Sequence, residues 1–395
     1  MNPSMLAPEV LRSINLVPFV FLAILLVLAK LAPRKSFHED YTSLESTKNL
    51  QGFSMLFIIF HHLVQLISSY GWFNIGPVTI FNQLGLVFTG VFFFCSGFGL
   101  VTSVEKKENY LKTFLYRRLP SIVIPFYTAS TLYILLVHYV WKSFPWPKNY
   151  AWQAFSGWKL YNNHLWFPIE IVFIYIAFFI IFTILKNHKN IAMALLSLFV
   201  VGMILFTLSQ GRDNDGFNDA WFHGEWWCNS TLLFIVGMYY AKFLKPITNF
   251  FKKFYVAVLP VVIVLFGGSL ILAGKLNADY GYTPDFSNKI LWKESIITLL
   301  GDSIKTLLFI LLFLLISMKV KFNNPVLRFF GMISFELYMT HNIILYYFFN
   351  KLEMNHNIQL IIYVYGLSIV LAFVVHMLNK VLLLPFKGKR ATARV

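Results

Sequence analysis

Apolar runs of about seventeen to twenty-five residues recur along almost the whole chain, and this recurrence leaves few folds open. They lie near 14–32, 50–69, 79–101, 120–140, 165–185, 190–209, 226–243, 254–273, 296–318, 331–349 and 357–383. A helix needs about 20 predominantly apolar residues to cross the hydrocarbon core. Inside that core every backbone N–H and C=O must be paired within the segment, which selects helices or closed barrels. The pattern predicts an all-α, polytopic membrane bundle of about eleven transmembrane helices. Composition agrees: 58% of the 395 residues are hydrophobic and only 13% charged, against roughly 25% charged in soluble domains. The loops are mostly short, and no polar tract is long enough for a second, soluble domain. No internal repeat stands out, so the inverted-repeat signature of many transporters is not evident. The beginning of the chain lacks the form of a signal peptide, so Ile14–Leu31 reads as a retained first helix.

The formal net charge of +16 would suggest a nucleic-acid partner in a soluble chain. Here the Lys and Arg residues collect in alternate loops instead, and no basic run is interleaved with aromatics in a soluble segment, so nucleic-acid binding is not expected. One set of loops and the tail holds 23 of them, from Lys30 and Arg34 to Arg390 and Arg394; the other set holds 9. Cytoplasmic loops concentrate Lys and Arg, so this asymmetry predicts the N-terminus outside and the C-terminus inside. An odd number of helices requires that arrangement. The outer segments 141–164 and 210–227 are rich in Trp, Tyr, Asn and Asp. An interfacial aromatic belt accounts for most of these residues, and the alternative is an outward vestibule for a polar acceptor.

Ionisable groups inside such a bundle are costly and are therefore functional candidates. The second apolar run, Gln51 to Gln65, carries the doublet His61-His62. At 100° per residue Gln51 and His62 fall within about 20° of one another, with Ser54, His61 and Gln65 on the same broad face. This predicts a polar stripe about 16 Å long from Gln51 to His62. Histidine exchanges protons near neutral pH, so His62 is a candidate base, relay or ligand. Ser96, Gly97 and Gly99 read first as small residues that let helices approach. Arg117 and Arg118, at a helix mouth on the basic side, are either positive-inside anchors or a phosphate grip. His164, Trp166 and Glu170 lie at the outer end of the fifth run, and Glu336, Tyr338, Thr340 and His341 share the tenth. Asp302 and Lys305, three apart, are expected to neutralise each other. The two cysteines, Cys95 and Cys228, have neither disulfide nor metal spacing, and no metal is expected.

The second helix, Ser96-Gly97-Phe98, Arg117-Arg118, His164-Leu165-Trp166-Phe167 and the stretch Ser334 to His341 occur in the order and spacing of the acyltransferase-3 family, which the chain resembles over about residues 45–380. That resemblance implies a membrane enzyme that moves an acyl group, acetyl in the first instance, from acyl-CoA on the cytoplasmic side to a hydroxyl of a cell-envelope glycan or related acceptor on the outer side. It implies a multi-pass protein of the bacterial inner membrane with no bound cofactor, acyl-CoA being a co-substrate. The domains expected are 1–44, an extra N-terminal helix and linker before a ten-helix core; 45–383, the acyltransferase-like membrane domain; and 384–395, a basic cytoplasmic tail.

Residue by residue, the resemblance makes His62 the general base, with His61 or Glu336 setting its tautomer and His341 beside them. Donor binding is expected at Arg117, Arg118, Lys48, Gln51 and Ser96, with Ser96, Tyr338 or a backbone amide as oxyanion donor. The acceptor side is expected at His164, Trp166, Glu170 and Tyr338. Two positions depart from the family pattern: Gln51 stands where a basic residue is usual, and Glu170 lies one position earlier than the usual acid. A transient acyl-histidine is an alternative route within the same reading. The rival class is a proton-coupled secondary transporter of a small acid or lipid precursor, with His61, His62, Glu336 and His341 as its relay.

Overall fold

A computed structural model describes residues 8–69, 76–142, 151–160, 162–210, 228–281, 292–322, 324–351 and 358–386. Among the described residues, thirteen α-helices follow one another. They are α1 (Pro8–Leu26), α2 (Leu44–Ser69), α3 (Gly85–Lys106), α4 (Phe114–Arg118), α5 (Pro120–Tyr133), α6 (Ala151–Phe155) and α7 (Trp166–Ile184). Then come α8 (Lys189–Gln210), α9 (Leu232–Lys242), α10 (Leu244–Asp279), α11 (Trp292–Lys319), α12 (Pro325–Tyr346) and α13 (Ile358–Leu382). Two short strands, β1 (Lys30–Leu31) and β2 (Val320–Lys321), pair antiparallel with Lys30 opposite Lys321.

Each of the eleven apolar runs contains a helix, and seven helical stretches among the described residues are long and apolar enough to cross a membrane. The four that fall short do so for different reasons. α1 ends at Leu26, short of the end of its apolar run, and α9 is cut to 11 residues because a turn over Cys228–Thr231 precedes it. α2 and α12 are long, but Lys48, Gln51, His61 and His62 on one and Arg328, Glu336 and His341 on the other lower their apolarity. Their burial explains why they tolerate polar groups. Most of α2 from Asn49 to Val64 and of α12 from Gly331 to Ile343 is enclosed by protein. By contrast α8, α10 and α13 present exposed Leu198, Val264, Ile271 and Ile362, the surface expected against lipid.

α10, at 36 residues, is longer than the hydrocarbon core needs. It bends at Phe254 (φ −111°, ψ 17°), separating a lysine-bearing first part from an apolar second part. The apolar run read from 254 begins at that bend.

Two close crossings hold the centre together. A Cβ at Gly331 would lie 2.3 Å from the Lys48 carbonyl oxygen, and one at Gly52 2.6 Å from the Gly331 nitrogen, so α2 and α12 touch backbone to backbone. α3 and α9 do the same through Gly97 and Gly237, each with 2.1 Å to a facing carbonyl oxygen, Phe234 and Phe94 respectively. Gly97 therefore has the packing role expected of a small residue, whereas Gly99 faces open space.

The basic loops converge at one end of the bundle. The β1–β2 pair joins the linker after α1 to the one after α11. Lys252 bonds Glu39, Lys321 bonds Asp40, and Tyr41 Oη lies 2.7 Å from Thr248 Oγ1. The Lys30–Lys48, Lys242–Lys253 and Lys319–Arg328 segments thus share one face, as alternating loops of a multi-helix bundle require. Residues 143–150 and 211–227, most of the aromatic outer segments, and 387–395 of the basic tail lie outside the described residues.

Candidate active site

Near the end opposite the basic loops lies a cavity of about 530 Å³. His61, His62 and Gln65 from α2, His164 and Trp166 from the start of α7, and Tyr338 from α12 line it. Across it stand Asn82, Gln83, Asn229, Asn277, Asp302 and Lys305. The residues come from seven separate stretches of chain, and the sequence offered as site residues only those on α2, on α12 and at the start of α7.

Three histidines meet at its edge, His62 and His164 on the lining and His341 buried beside them. The ring centroids of His62 and His164 are 4.0 Å apart, those of His62 and His341 5.3 Å, and those of His164 and His341 5.0 Å. His164 Nδ1 lies 3.2 Å from His341 Nε2. Local chemistry fixes each ring. His164 sits in a single 3₁₀ turn, Asn163–Leu165, whose start is capped by Asn162 Oδ1 accepting from the His164 N–H at 3.0 Å; Asn is a favoured cap because its short side chain reaches back to free backbone donors. The same fully buried Asn162 donates to the Met339 carbonyl at 3.2 Å and accepts from Asn342 Nδ2 at 2.9 Å. It therefore ties the His164 turn to α12 beside His341. Nothing in the sequence pattern singled out Asn162.

His62 Nδ1 lies 3.1 Å from Gln65 Oε1, so this nitrogen carries the proton and donates, leaving a lone pair on Nε2. The partner that sets the His62 tautomer is thus Gln65, neither His61 nor Glu336 as the sequence suggested. His61 turns the other way: its Nδ1 is 2.5 Å from the Phe81 carbonyl, and its ring lies over Gly85, where a Cβ would come within 2.4 Å. Glu336 is on the far side of α12. Its Oε1 is 3.1 Å from His376 Nδ1 and 3.4 Å from Asn379 Nδ2, both on α13. The α12 positions 336 and 341 differ by 500° of helical rotation, or about 140° around the axis, which sends them to different faces.

Glu170, fully buried, accepts from Thr231 Oγ1 at 2.6 Å and does not line the cavity. It lies within electrostatic reach of the Tyr338 hydroxyl. Asp302 and Lys305 pair at 2.8 Å with 1% and 2% exposure, as expected from their spacing. They also line the cavity, and Lys305 Nζ reaches the Gln83 carbonyl at 3.3 Å while Asn277 Nδ2 reaches Asp302 at 3.2 Å.

The expected donor residues gather toward the basic end. Arg118 Nε donates to Tyr110 Oη at 3.2 Å and lies within electrostatic reach of Tyr175, whose hydroxyl is 2.9 Å from Ser96 Oγ. Lys48 keeps accessible surface yet lies within electrostatic reach of Cys95, Glu336 and Arg118, so it lines a recess. Gln51 is half-buried one turn above it on α2. Arg117 points outward and is exposed, so the arginine pair is split between recess and surface. Tyr110 and Tyr175 were not anticipated; aromatic residues are too common here to single out by composition.

The nitrogen atoms of His62, His164 and His341 that could ligate an ion all lie within 4.8 Å of one another. No metal was expected from spacing, because the three histidines are far apart in sequence. No relative among curated proteins and no solved structure matches the chain. Residues 45–378, however, match the family model described as an acyltransferase domain. The match spans both the histidine cavity and the basic recess, and the chain belongs to the acyltransferase-3 family of membrane acyltransferases.

Proposed function

We propose that the protein is an O-acyltransferase that takes an acyl group, acetyl foremost, from acyl-CoA and passes it to a hydroxyl of a cell-envelope glycan or related acceptor. The bundle then has eleven spans in a bacterial inner membrane, N-terminus outside and C-terminus inside. The basic recess meets cytoplasmic acyl-CoA and the histidine cavity meets the acceptor. One observation carries the reading: α2 bears Lys48 and Gln51 at the recess and His62 at the cavity, about 16 Å beyond Gln51 along the same helix. A donor with phosphates at one end and a thioester at the other suits a site divided in this way.

In this mechanism Arg118 and Lys48 hold the CoA phosphates through charge-assisted bonds, with Arg117 and Gln51 at the mouth and Ser96 along the path. His62 Nε2 takes the proton of the acceptor hydroxyl. The oxygen attacks the thioester carbonyl, the new C–O bond forms and the C–S bond breaks. The departing CoA thiolate takes the proton back from the imidazolium. Tyr338 is the hydroxyl best positioned to donate to the oxyanion of the tetrahedral intermediate. His164, Trp166 and His341 support the acceptor side, while Glu170 braces Tyr338 and Glu336 belongs to the α12–α13 contact.

The test is transfer or hydrolysis of labelled acetyl-CoA by purified protein in detergent. His62→Ala is expected to lower turnover by about 10²–10⁴-fold while the protein stays folded. Unchanged turnover in that variant would refute the catalytic assignment. Gln51→Arg is expected to change the Kd for the donor if Gln51 borders its path. Proton-coupled uptake into vesicles with no binding of CoA would favour the transport alternative, which no contact described above favours.

A further inference from the structure

We infer that His62, His164 and His341 together bind one divalent transition-metal ion of the zinc class, with a fourth coordination position open to the cavity. This inference goes beyond acyl transfer and stands without it. The donor set is the first support. Three neutral imidazoles with a fourth position open to solvent or substrate form a ligand set that zinc uses in catalytic sites. The second is distance. Zinc–nitrogen bonds of about 2.0–2.1 Å in a tetrahedron put ligand nitrogens roughly 3.3–3.4 Å apart. His164 Nδ1 and His341 Nε2 already stand at 3.2 Å. All three ligand atoms lie within 4.8 Å, so the last requires a closing movement of about 1.5 Å, within reach of a side-chain rotation at half-buried His62.

The third support is the use of the opposite ring nitrogens. Metal-bound histidines usually donate their other N–H to a carbonyl, carboxylate or water, which orients the ring. His341 Nδ1 is 3.0 Å from the Leu337 carbonyl and His62 Nδ1 is 3.1 Å from Gln65 Oε1. Both N–H groups are thus directed away from the cluster, and both Nε2 lone pairs are left available to it.

Proton counting points the same way. With those two N–H groups engaged, His164 Nδ1–H is the proton available to the lone pairs of His62 and His341. One proton serves the 3.2 Å contact to His341, and the lone pair on His62 Nε2 is left beside it. A cation answers three converging ring nitrogens better than one proton does.

Imidazole donors without carboxylate or thiolate select zinc, copper, nickel or cobalt over magnesium and calcium, which take oxygen ligands. Coordination occupies the Nε2 lone pair that the acyl-transfer mechanism assigns to proton removal. The two uses exclude one another, so added zinc should inhibit turnover as it fills the site.

The test uses the full-length protein in detergent micelles, stripped with chelator and then titrated with ZnCl₂, CoCl₂ or MgCl₂. One equivalent of zinc should bind, and magnesium should not compete. Cobalt should develop the intense visible absorption of tetrahedral coordination. His164→Gln and His341→Gln should each weaken zinc binding at least tenfold, and Gln65→Ala about tenfold by releasing the His62 ring. The cobalt spectrum of the unaltered protein tests the site even where a variant fails to fold. Absence of stoichiometric binding, an octahedral cobalt spectrum, or undiminished binding in both folded histidine variants would overturn the inference. Turnover separates it from the acyl-transfer reading. Stripped protein that transfers acetyl and is inhibited by zinc supports both. Stripped protein that is inactive until zinc is restored supports the metal site and removes His62 as base. Turnover that needs His62, in protein that takes up no zinc on titration, leaves the acyl-transfer reading and overturns the metal site alone.

Discussion

Lys305→Met is expected to be among the most damaging single substitutions on the cavity wall. Lys305 and Asp302 are 2% and 1% exposed and pair at 2.8 Å. Removing the ammonium takes away the buried positive charge paired with the Asp302 carboxylate, while Asn277 Nδ2, a neutral donor, stays at 3.2 Å. Breaking a buried pair from one side costs about 3–5 kcal/mol. At 1.4 kcal/mol per power of ten, that lowers the folding equilibrium constant by about two to three and a half powers of ten. The double variant Asp302→Asn/Lys305→Met removes both charges and keeps an acceptor for Asn277, so it should recover most of the loss. The assay is the unfolding midpoint of the single and double variants in detergent, followed by intrinsic tryptophan fluorescence. Wild-type stability in Lys305→Met, or a double variant as damaged as the single one, would refute the reasoning.

Other consequences are open to the same kind of measurement. Arg118→Ala should raise the KM for acyl-CoA about 10- to 100-fold, the worth of a charged hydrogen bond, while Arg117→Ala, whose side chain is exposed, should change it less than threefold in the same steady-state assay. Gly331→Ala puts a methyl 2.3 Å from the Lys48 carbonyl and must spread α2 from α12 by about 1 Å; overpacking of this kind costs about 1–3 kcal/mol and is read as a lower thermal midpoint. The Asp40 carboxyl, at the basic end, is held below its ordinary range by its hydrogen bond to Lys321. Its contribution to stability is therefore present above the unfolded carboxyl value and disappears as pH falls through the folded one. Asp40→Asn should lower the thermal midpoint slightly at pH 7, and the difference from wild type should vanish near pH 2; a difference independent of pH would count against it.

Much of the architecture was legible because hydropathy is a local signal. The apolar runs coincide with helices, and the Asp302–Lys305 pair follows from helical spacing alone. The same rules failed where a polar group had more than one possible partner. Glu336 and His341 share a helix and a sequence motif, yet they face opposite sides of α12, one toward His376 and the other toward His164. Arg117 and Arg118 are neighbours in sequence, and one helical step turns one outward and the other to Tyr110. Gln65 lay on the predicted stripe without a role until its amide was found against the His62 ring.

Sequence alone pointed to an all-helical membrane bundle, because so many apolar runs have the length of a spanning helix, about twice that of a spanning strand, and a helix pairs its backbone within the run. It also placed the adjacent pair His61 and His62 within α2. Tertiary structure decided which groups those histidines meet. His62 meets His164 and His341 only because Asn162 ties the turn before α7 to a helix 177 residues further on. Contacts over such separations depend on how helices cross, here through the glycine-lined approach of α2 to α12. No periodicity within a segment encodes a crossing, so the cluster had to be seen in three dimensions.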